Sequence, residues 1–399
     1  MTSQPEIAII GAGPYGLSLA AHLSAAGVAH RIFGQPLLTW REHMPQGMLL
    51  KSDGFASSLC APDPGCTLKA YSAARGLAYG DTGVPVSLER FIEYGLWFQK
   101  RYVPHLETCH VRRVERGQGG FVLTLETGEV MRAGQVVVAT GVAGLEYIPD
   151  TLAHLPPELV SHSAQHREGS RLAGKKVIVL GAGASAVDVA AMLSDAGAET
   201  TILARAPSIR FHTSPRPPKW PLLQNILRPP SGIGPGWRSW MCANLPQLFR
   251  YLPAKFRVEI VRRHLGPASS WYMRKRIEGH VAVLLGRTLL SAAEEGGKIK
   301  LQITAADGST STLVADHVVA ATGYHPDIKR WTFLAPELAA EVETNSDAPE
   351  LSSVFESSAR GLYFMGPPAA IAFGPLMRFA VGCEFAAPRV ARHLIRRSQ

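Results

Sequence analysis

The chain has 399 residues, 46% hydrophobic and 18% charged, with a net charge of +9 at neutral pH. This composition excludes disorder and fibrous repeats, and the length calls for two or three domains of about 150 residues each. The five cysteines, at 60, 66, 109, 242 and 383, are odd in number and scattered. That argues against a secreted disulfide framework and for a reducing cytoplasmic setting. No signal-peptide pattern opens the sequence, and no run of about 18 apolar residues is free of charge, so no membrane span is expected.

In chain order, Ile7-Ala-Ile-Ile10 is an apolar, β-rich run ending in glycine, which predicts a buried parallel strand. Residues 14–26 predict a helix closed by Gly27, and residues 30–33 a second strand, completing a βαβ unit. Residues 35–85 read as loop-rich, and 87–101 as an amphipathic helix capped by Ser87. Strands are expected at 121–125 and 135–139, with a turn at 126–129 between them. The pattern then restarts about 170 residues on, with a strand at 175–180, an alanine-rich helix to Leu193 and a strand at 200–203. Residues 206–275, rich in Pro, Trp and Arg, interrupt this unit. Strand signals return at 299–303, 316–320 and 362–365, and a final helix is expected over 376–396.

Gly11-Ala-Gly13-Pro14-Tyr15-Gly16 is a Gly-x-Gly-x-x-Gly turn between a strand and a helix. Its first glycine permits the turn, the second lets a pyrophosphate approach the backbone, and the third lets helix and strand pack closely. The helix N-terminus supplies free N–H groups and a favourable dipole for the phosphates. An acid is expected at the end of the second strand to hold ribose hydroxyls. Gly34-Gln35 stands there instead, which leaves the ribose to Gln35 or Arg41.

Gly181-Ala-Gly183-Ala184-Ser185-Ala186 is the second such turn, and Arg205 ends its second strand. A guanidinium there suits the 2′-phosphate of NADPH. Two dinucleotide sites in one chain point to electron transfer from a nicotinamide to a flavin. Thr140-Gly141 and Thr322-Gly323 each follow an apolar strand that ends in alanine, and allow close backbone approach to a ligand.

These two glycine motifs, both Ala-Thr-Gly closures and Arg205 resemble the class B flavoprotein monooxygenases over nearly the whole chain. Trp40-Arg41, Met48-Leu-Leu-Lys51-Ser52 and residues 373–378 are similar to a bacterial branch that includes FAD-dependent urate hydroxylase-like and N-hydroxylating enzymes. The resemblance implies an α/β fold of two Rossmann-like domains, with an NADPH domain inserted into an FAD domain. The expected divisions are 1–160 and 326–399 for the FAD domain and 161–325 for the NADPH domain, with the basic segment 206–275 inside it.

By the same resemblance, Gly11, Gly13 and Gly16 hold the FAD pyrophosphate. Trp40, Arg41, Met48, Lys51 and Ser52 lie along the FAD, and Val111 offers backbone to the adenine. Gly366 and the helix start at Pro375-Leu376 face the isoalloxazine, and Gly181, Gly183, Ser185 and Arg205 hold NADPH. Lys51 and Arg378 are placed to stabilise flavin charge or to make structural contacts. His162-Ser-Ala-Gln-His166 resembles the histidine-containing signature that precedes the second motif in that family.

The implied reaction transfers one atom of molecular oxygen to a small substrate through a C4a-hydroperoxyflavin. Two other readings stay open: a flavin reductase serving another acceptor, and a non-catalytic flavin-binding regulator. Neither a hydrolytic triad nor a metal-ligand motif is legible, and no catalytic residue is assigned.

Cys60 and Cys66 match no redox-pair spacing. The charge is local: residues 205–290 carry fifteen Lys or Arg against Glu259 and Glu278, a local +13 that leaves −4 elsewhere. Trp220, Trp237, Trp240, Trp271 and Tyr272 lie among those arginines. The mixture suits a flat, anionic substrate, with an acidic membrane surface as the second use. Pro246 breaks the apolar stretch 237–249. No nucleic-acid reading module is present.

Overall fold

A computed structural model describes residues 7–212, 225–266 and 268–398. Two parallel sheets form its centre. The first runs in the order Leu362–Phe364, Gln135–Val138, Ile7–Ile10, His30–Phe33, with every neighbouring pair parallel. The second runs Ala282–Leu285, Glu199–Ala204, Lys176–Leu180, His317–Ala320, Val160–His162, also all parallel. The edge strand of the first sheet therefore comes from beyond the whole of the second, and the second Rossmann-like unit is an insertion in the first.

Strands Ile7–Ile10 and Gln135–Val138 are buried at every position, as parallel strands covered on both faces must be. Helices Pro14–Ala25 and Cys383–Ser398 pack against each other, and helix Ala184–Asp195 packs on strands Lys176–Leu180 and Glu199–Ala204. Ser87 caps helix Leu88–Tyr102 by accepting from the Arg90 amide.

Each unit carries a three-stranded antiparallel meander just before the strand that ends in Ala-Thr-Gly. One is Val111–Gly117, Gly120–Leu125 and Val130–Ala133; the other is Arg287–Glu295, Lys298–Ala305 and Thr310–Ala315. The turn at 126–129 therefore joins two meander strands and does not lead into the parallel sheet. Val130–Ala133 is too short, at two buried positions, to announce itself by alternation.

The last helix begins at Cys383, later than expected. Pro375–Arg378 and Ala380–Gly382 are separate 3₁₀ turns. The Tyr15 hydroxyl lies 3.0 and 2.8 Å from the carbonyls of Met377 and Phe379. A continuous helix would direct those carbonyls to amides four residues on. Region 35–85 is not all loop: it holds helices Leu38–Glu42 and Leu68–Ala74, the second capped by Thr67. Within 206–275, helix Trp237–Asn244 ends just before Pro246, which opens the short helix Pro246–Phe249. Trp220 lies outside the described residues.

Strand Val160–His162, which contains the expected boundary at 160/161, is held in the second sheet by a buried hydroxyl. Ser161 Oγ lies 2.6 Å from Nε2 of both His166 and His317. Burial lowers the His317 pKa and, with the neighbouring His317, brings that of His166 from 6.5 to about 4. His166 is neutral when folded but takes a proton on unfolding below its ordinary pKa, so its stabilisation is lost as pH falls from 6.5 toward 4. Acidification across that window is expected to lower the unfolding free energy, and His166→Gln is expected to reduce the loss by about 3 kcal/mol. Chemical denaturation at several pH values measures it; an unchanged pH slope in the variant contradicts the assignment.

Candidate functional site

The two glycine turns are built alike, down to individual contacts. Gly11 has φ +111 and Gly181 φ +140, a region open to glycine and closed to most side chains. A Cβ on Gly11 would lie 2.5 Å from the Ala139 carbonyl oxygen, and one on Gly181 2.5 Å from that of Ala321. The Gly11 and Gly181 amides each donate over 2.8 Å, to Phe33 and Leu203 carbonyls respectively. Gly16 approaches closer still: a Cβ there would sit 1.9 Å from the Gly11 oxygen. Each helix starts at an N-cap glycine, Gly13 or Gly183, without a capping side chain or an acid in the first turn. Those first-turn amides are open to an anion.

The cradle at Gly13 faces free space, since a Cβ there meets nothing within 4 Å. That space is part of a cavity of about 1240 Å³, which reaches from Gly11, Gly13, Pro14 and Tyr15 across Thr140-Gly141 to Thr322-Gly323 and Tyr324. It exceeds the roughly 300–1,000 Å³ that one small ligand takes. Thr140 Oγ1 on its wall is buried and has no hydrogen-bond partner among the described residues, whereas the corresponding Thr322 hydroxyl donates to the Tyr147 carbonyl. An unpartnered buried hydroxyl beside an open phosphate cradle fits a bound dinucleotide.

Gly34, Gln35, Trp40 and Val111 also line this cavity. The Gln35 side-chain amide donates to the Thr108 carbonyl over 2.9 Å. Glu107, the acid nearest the end of the second strand, is engaged at 2.6 Å by Arg31, which also meets Glu129. It is therefore no substitute for the missing ribose-binding acid. The cavity lining does not include Arg41, Met48, Lys51, Ser52, Gly366, Pro375 or Leu376. Lys51 pairs with the buried Asp188 of helix Ala184–Asp195, which joins the two units. Ser52 Oγ meets Ser57 Oγ at 2.8 Å, and Met48 accepts from the Leu88 amide. Pro375 and Leu376 are buried in a 3₁₀ turn rather than at a helix start. A Cβ on Gly366 would press on the Tyr15 ring at 3.2 Å.

On the second unit, Ser185 is exposed in the first turn of its helix. Arg205 is exposed one residue beyond strand Glu199–Ala204, and no ion pair or hydrogen bond of its guanidinium forms among the described residues. Neither lines the large cavity. Trp237, Trp240, Trp271 and Tyr272 do not line it either; the basic segment contributes Val261 and Arg262. Arg378 lines the cavity and donates to the carbonyls of Val261, His264 and Leu265 over 3.1–3.2 Å, and its burial lowers the guanidinium pKa. His162 Nε2 lies 3.1 Å from the Gly323 carbonyl. The His43 ring meets the Ala164 carbonyl at 3.0 Å, so the 162–166 segment touches both units. Sequence reasoning missed Arg330 and Trp331 on the cavity wall. Trp331 donates to the Ala143 carbonyl at 2.9 Å; no local motif marks either residue. Burial pushes the Cys60 thiol up to about 12, away from nucleophilic thiolate chemistry.

The two glycines of the first turn are expected to respond differently to a methyl group. Gly16→Ala drives a Cβ into backbone and is expected to lower stability by about 2–4 kcal/mol. Gly13→Ala points into open space and is expected to stay within about 1 kcal/mol of the parent. Urea denaturation of both variants without added nucleotide checks this; equal losses would contradict the geometry.

A family model described as pyridine nucleotide-disulphide oxidoreductase matches residues 91–227. Indole-3-pyruvate monooxygenase YUCCA1 of Oryza sativa subsp. japonica is 24% identical over 363 residues, covering 82% of this chain and 78% of that protein. FAD-dependent urate hydroxylase of Xanthomonas campestris pv. campestris is 27% identical over 208 residues, covering 48% and 43% of the respective chains. In fold, the chain is similar to the ornithine N-hydroxylase of Kutzneria sp. 744, at a TM-score of 0.78 and 14% identity over 99% of this chain and 100% of that one. With the duplicated glycine turns and the inserted second sheet, the chain is thus similar over most of its length to a flavin-dependent monooxygenase and shares its fold with an N-hydroxylase.

Proposed function

We propose that the protein is an NADPH-dependent flavoprotein monooxygenase that inserts one oxygen atom from O2 into a small organic substrate. The observation that carries this reading is the continuous cavity of about 1240 Å³ between the first glycine turn and the Thr322-Gly323 exit of the second unit. FAD would be held by Gly11, Gly13 and Gly16, with Gln35, Trp40, Val111 and Thr140 along it. NADPH would be held by Gly181, Gly183, Ala184, Ser185 and Arg205, with Thr322 and Gly323 facing the cavity. The domain division that goes with this is 1–160 and 326–399 for FAD and 161–325 for NADPH. When bound, the flavin supplies hydride acceptance and oxygen activation.

The protein's own work is positional. The Gly13 backbone leaves room for phosphate, and the first-turn amides of both helices supply the counter-dipole. Ile10, Leu37, Leu38 and Ile371 give the cavity an apolar wall, which would limit water around a bound flavin. Arg205, exposed and without an ion-pair partner among the described residues, offers a planar fork to a 2′-phosphate. Arg262, Arg330 and Arg378 also line the cavity, which supports a small anionic substrate. The relatives named for indole-3-pyruvate and urate, both ring-bearing anions, support a flat one. The five free cysteines support a reducing cytoplasmic setting. No described helix is long and apolar enough to cross a membrane.

Arg205→Ala is expected to raise the KM for NADPH by on the order of tenfold or more while changing that for NADH little. Initial rates with both nucleotides check it; equal changes would contradict the 2′-phosphate role. With a productive substrate, oxygen uptake should match NADPH consumption with little peroxide released. Turnover that reduces an added acceptor and leaves oxygen untouched would favour the reductase reading.

A further inference from the structure

Two helices of the basic segment turn large apolar side chains to solvent. In helix Trp237–Asn244, Ser239 and Cys242 are buried while Trp237 and Met241 face solvent. Leu245 and Leu248 continue that apolar row, and Tyr251 is 79% exposed. In helix Ala254–Arg263, Phe256 is 64% exposed, yet its neighbour Arg257 is buried and paired with Glu350 at 2.7 Å. A surface helix normally buries its apolar stripe and shows its charges.

Nine of the sixteen exposed large apolar side chains among the described residues fall between 226 and 256. That crowding is unlike the single exposed apolar residues scattered over an ordinary surface. Charge follows the same ground. Residues 226–263 hold seven Lys or Arg and one acid, Glu259. Arg238 and Lys255 are exposed beside Trp237 and Phe256 and have no ion-pair partner among the described residues.

We propose that this crest docks the protein onto an anionic phospholipid surface, with Trp237, Tyr251 and Phe256 in the headgroup layer and Arg238 and Lys255 on lipid phosphates. Exposed aromatic and leucine side chains flanked by Lys and Arg are the chemistry of interfacial elements, which lie in the bilayer surface without crossing it. Each cation near an anionic leaflet adds attraction that salt screens. A second copy of the chain is a poor occupant: a two-fold interface would set the crest against itself and bring its net positive charge against its own image. The crest also adjoins the cavity, because Val261 and Arg262 of the same helix line it.

The test is flotation of the flavin-loaded full-length protein with vesicles of phosphatidylcholine alone, or containing about one quarter phosphatidylglycerol. Binding is expected to the anionic vesicles, with little to neutral ones and a loss at high salt. The triple variant Trp237→Ser/Tyr251→Ser/Phe256→Ser is expected to reduce the bound fraction about tenfold, and Arg238→Gln/Lys255→Gln to weaken it with a shallower salt dependence. Flavin content should not change, because none of the five side chains lines the cavity. No binding to anionic vesicles, or equal binding of the triple variant, overturns the proposal. A concentration-dependent dimer that the triple variant abolishes, with no vesicle binding, assigns the crest to a second copy and overturns it as well.

Discussion

Two strand ends pass so close to two glycine turns that no side chain fits between them, and the shape of both turns depends on that contact. At Gly11 the neighbour is the Ala139 carbonyl, at Gly181 the Ala321 carbonyl, each within 2.5 Å of where a Cβ would stand. The contact brings three features to the carboxyl edge of each sheet: the helix start, the exit of the central strand and the Thr-Gly turn of its neighbour. Ligands of open α/β sheets bind at such edges because the uncapped helix amides and the crevice between diverging loops coincide there. With the second sheet inserted between strands of the first, the Thr322-Gly323 edge of the second unit shares one cavity with the glycine turn of the first.

The two units are tied by polar contacts at the seam as well as by two chain crossings. Lys51 of the first unit pairs with Asp188 on the helix of the second glycine turn. His43 meets the Ala164 carbonyl, and the Gln46 amide donates to the Arg167 carbonyl over 2.9 Å. These contacts surround the segment that enters the second sheet, so the relative placement of the two cradles rests on a few directional bonds. Tyr15 plays the corresponding part within the first unit. Its hydroxyl, buried and with its pKa raised by desolvation, meets carbonyls of the C-terminal 3₁₀ turns and fixes them against the first glycine turn.

Sequence reasoning served best where geometry is set by a few adjacent residues. Both glycine turns, the strands feeding them, the Thr-Gly exits and the Ser87 cap follow from local backbone demands, and the structure has them where the residues indicate. It served less well where the deciding partner is distant. The Tyr15 hydroxyl is more than 360 residues from the carbonyls it meets, and those carbonyls belong to the 3₁₀ turns that stand where the final helix is expected to start. Lys51 shows its pairing with Asp188 only in three dimensions. Strand Val111–Gly117 carries a bulge that breaks its alternation, and Val130–Ala133 is too short to stand out. The aromatic residues of 206–275 read as lining for a flat, anionic substrate because rings among arginines suit stacking; in the structure Trp237 and Trp271 face solvent instead.

The claim on which the account rests is that both cradles hold their nucleotides at once, with the nicotinamide delivering hydride inside the shared cavity. Rapid anaerobic mixing of the flavin-loaded protein with NADPH measures it directly, through the oxidised-flavin absorbance near about 450 nm. Full bleaching at a rate that saturates with NADPH is the predicted result. Absorbance that stays unchanged at saturating NADPH, in protein that retains its flavin, would contradict the account.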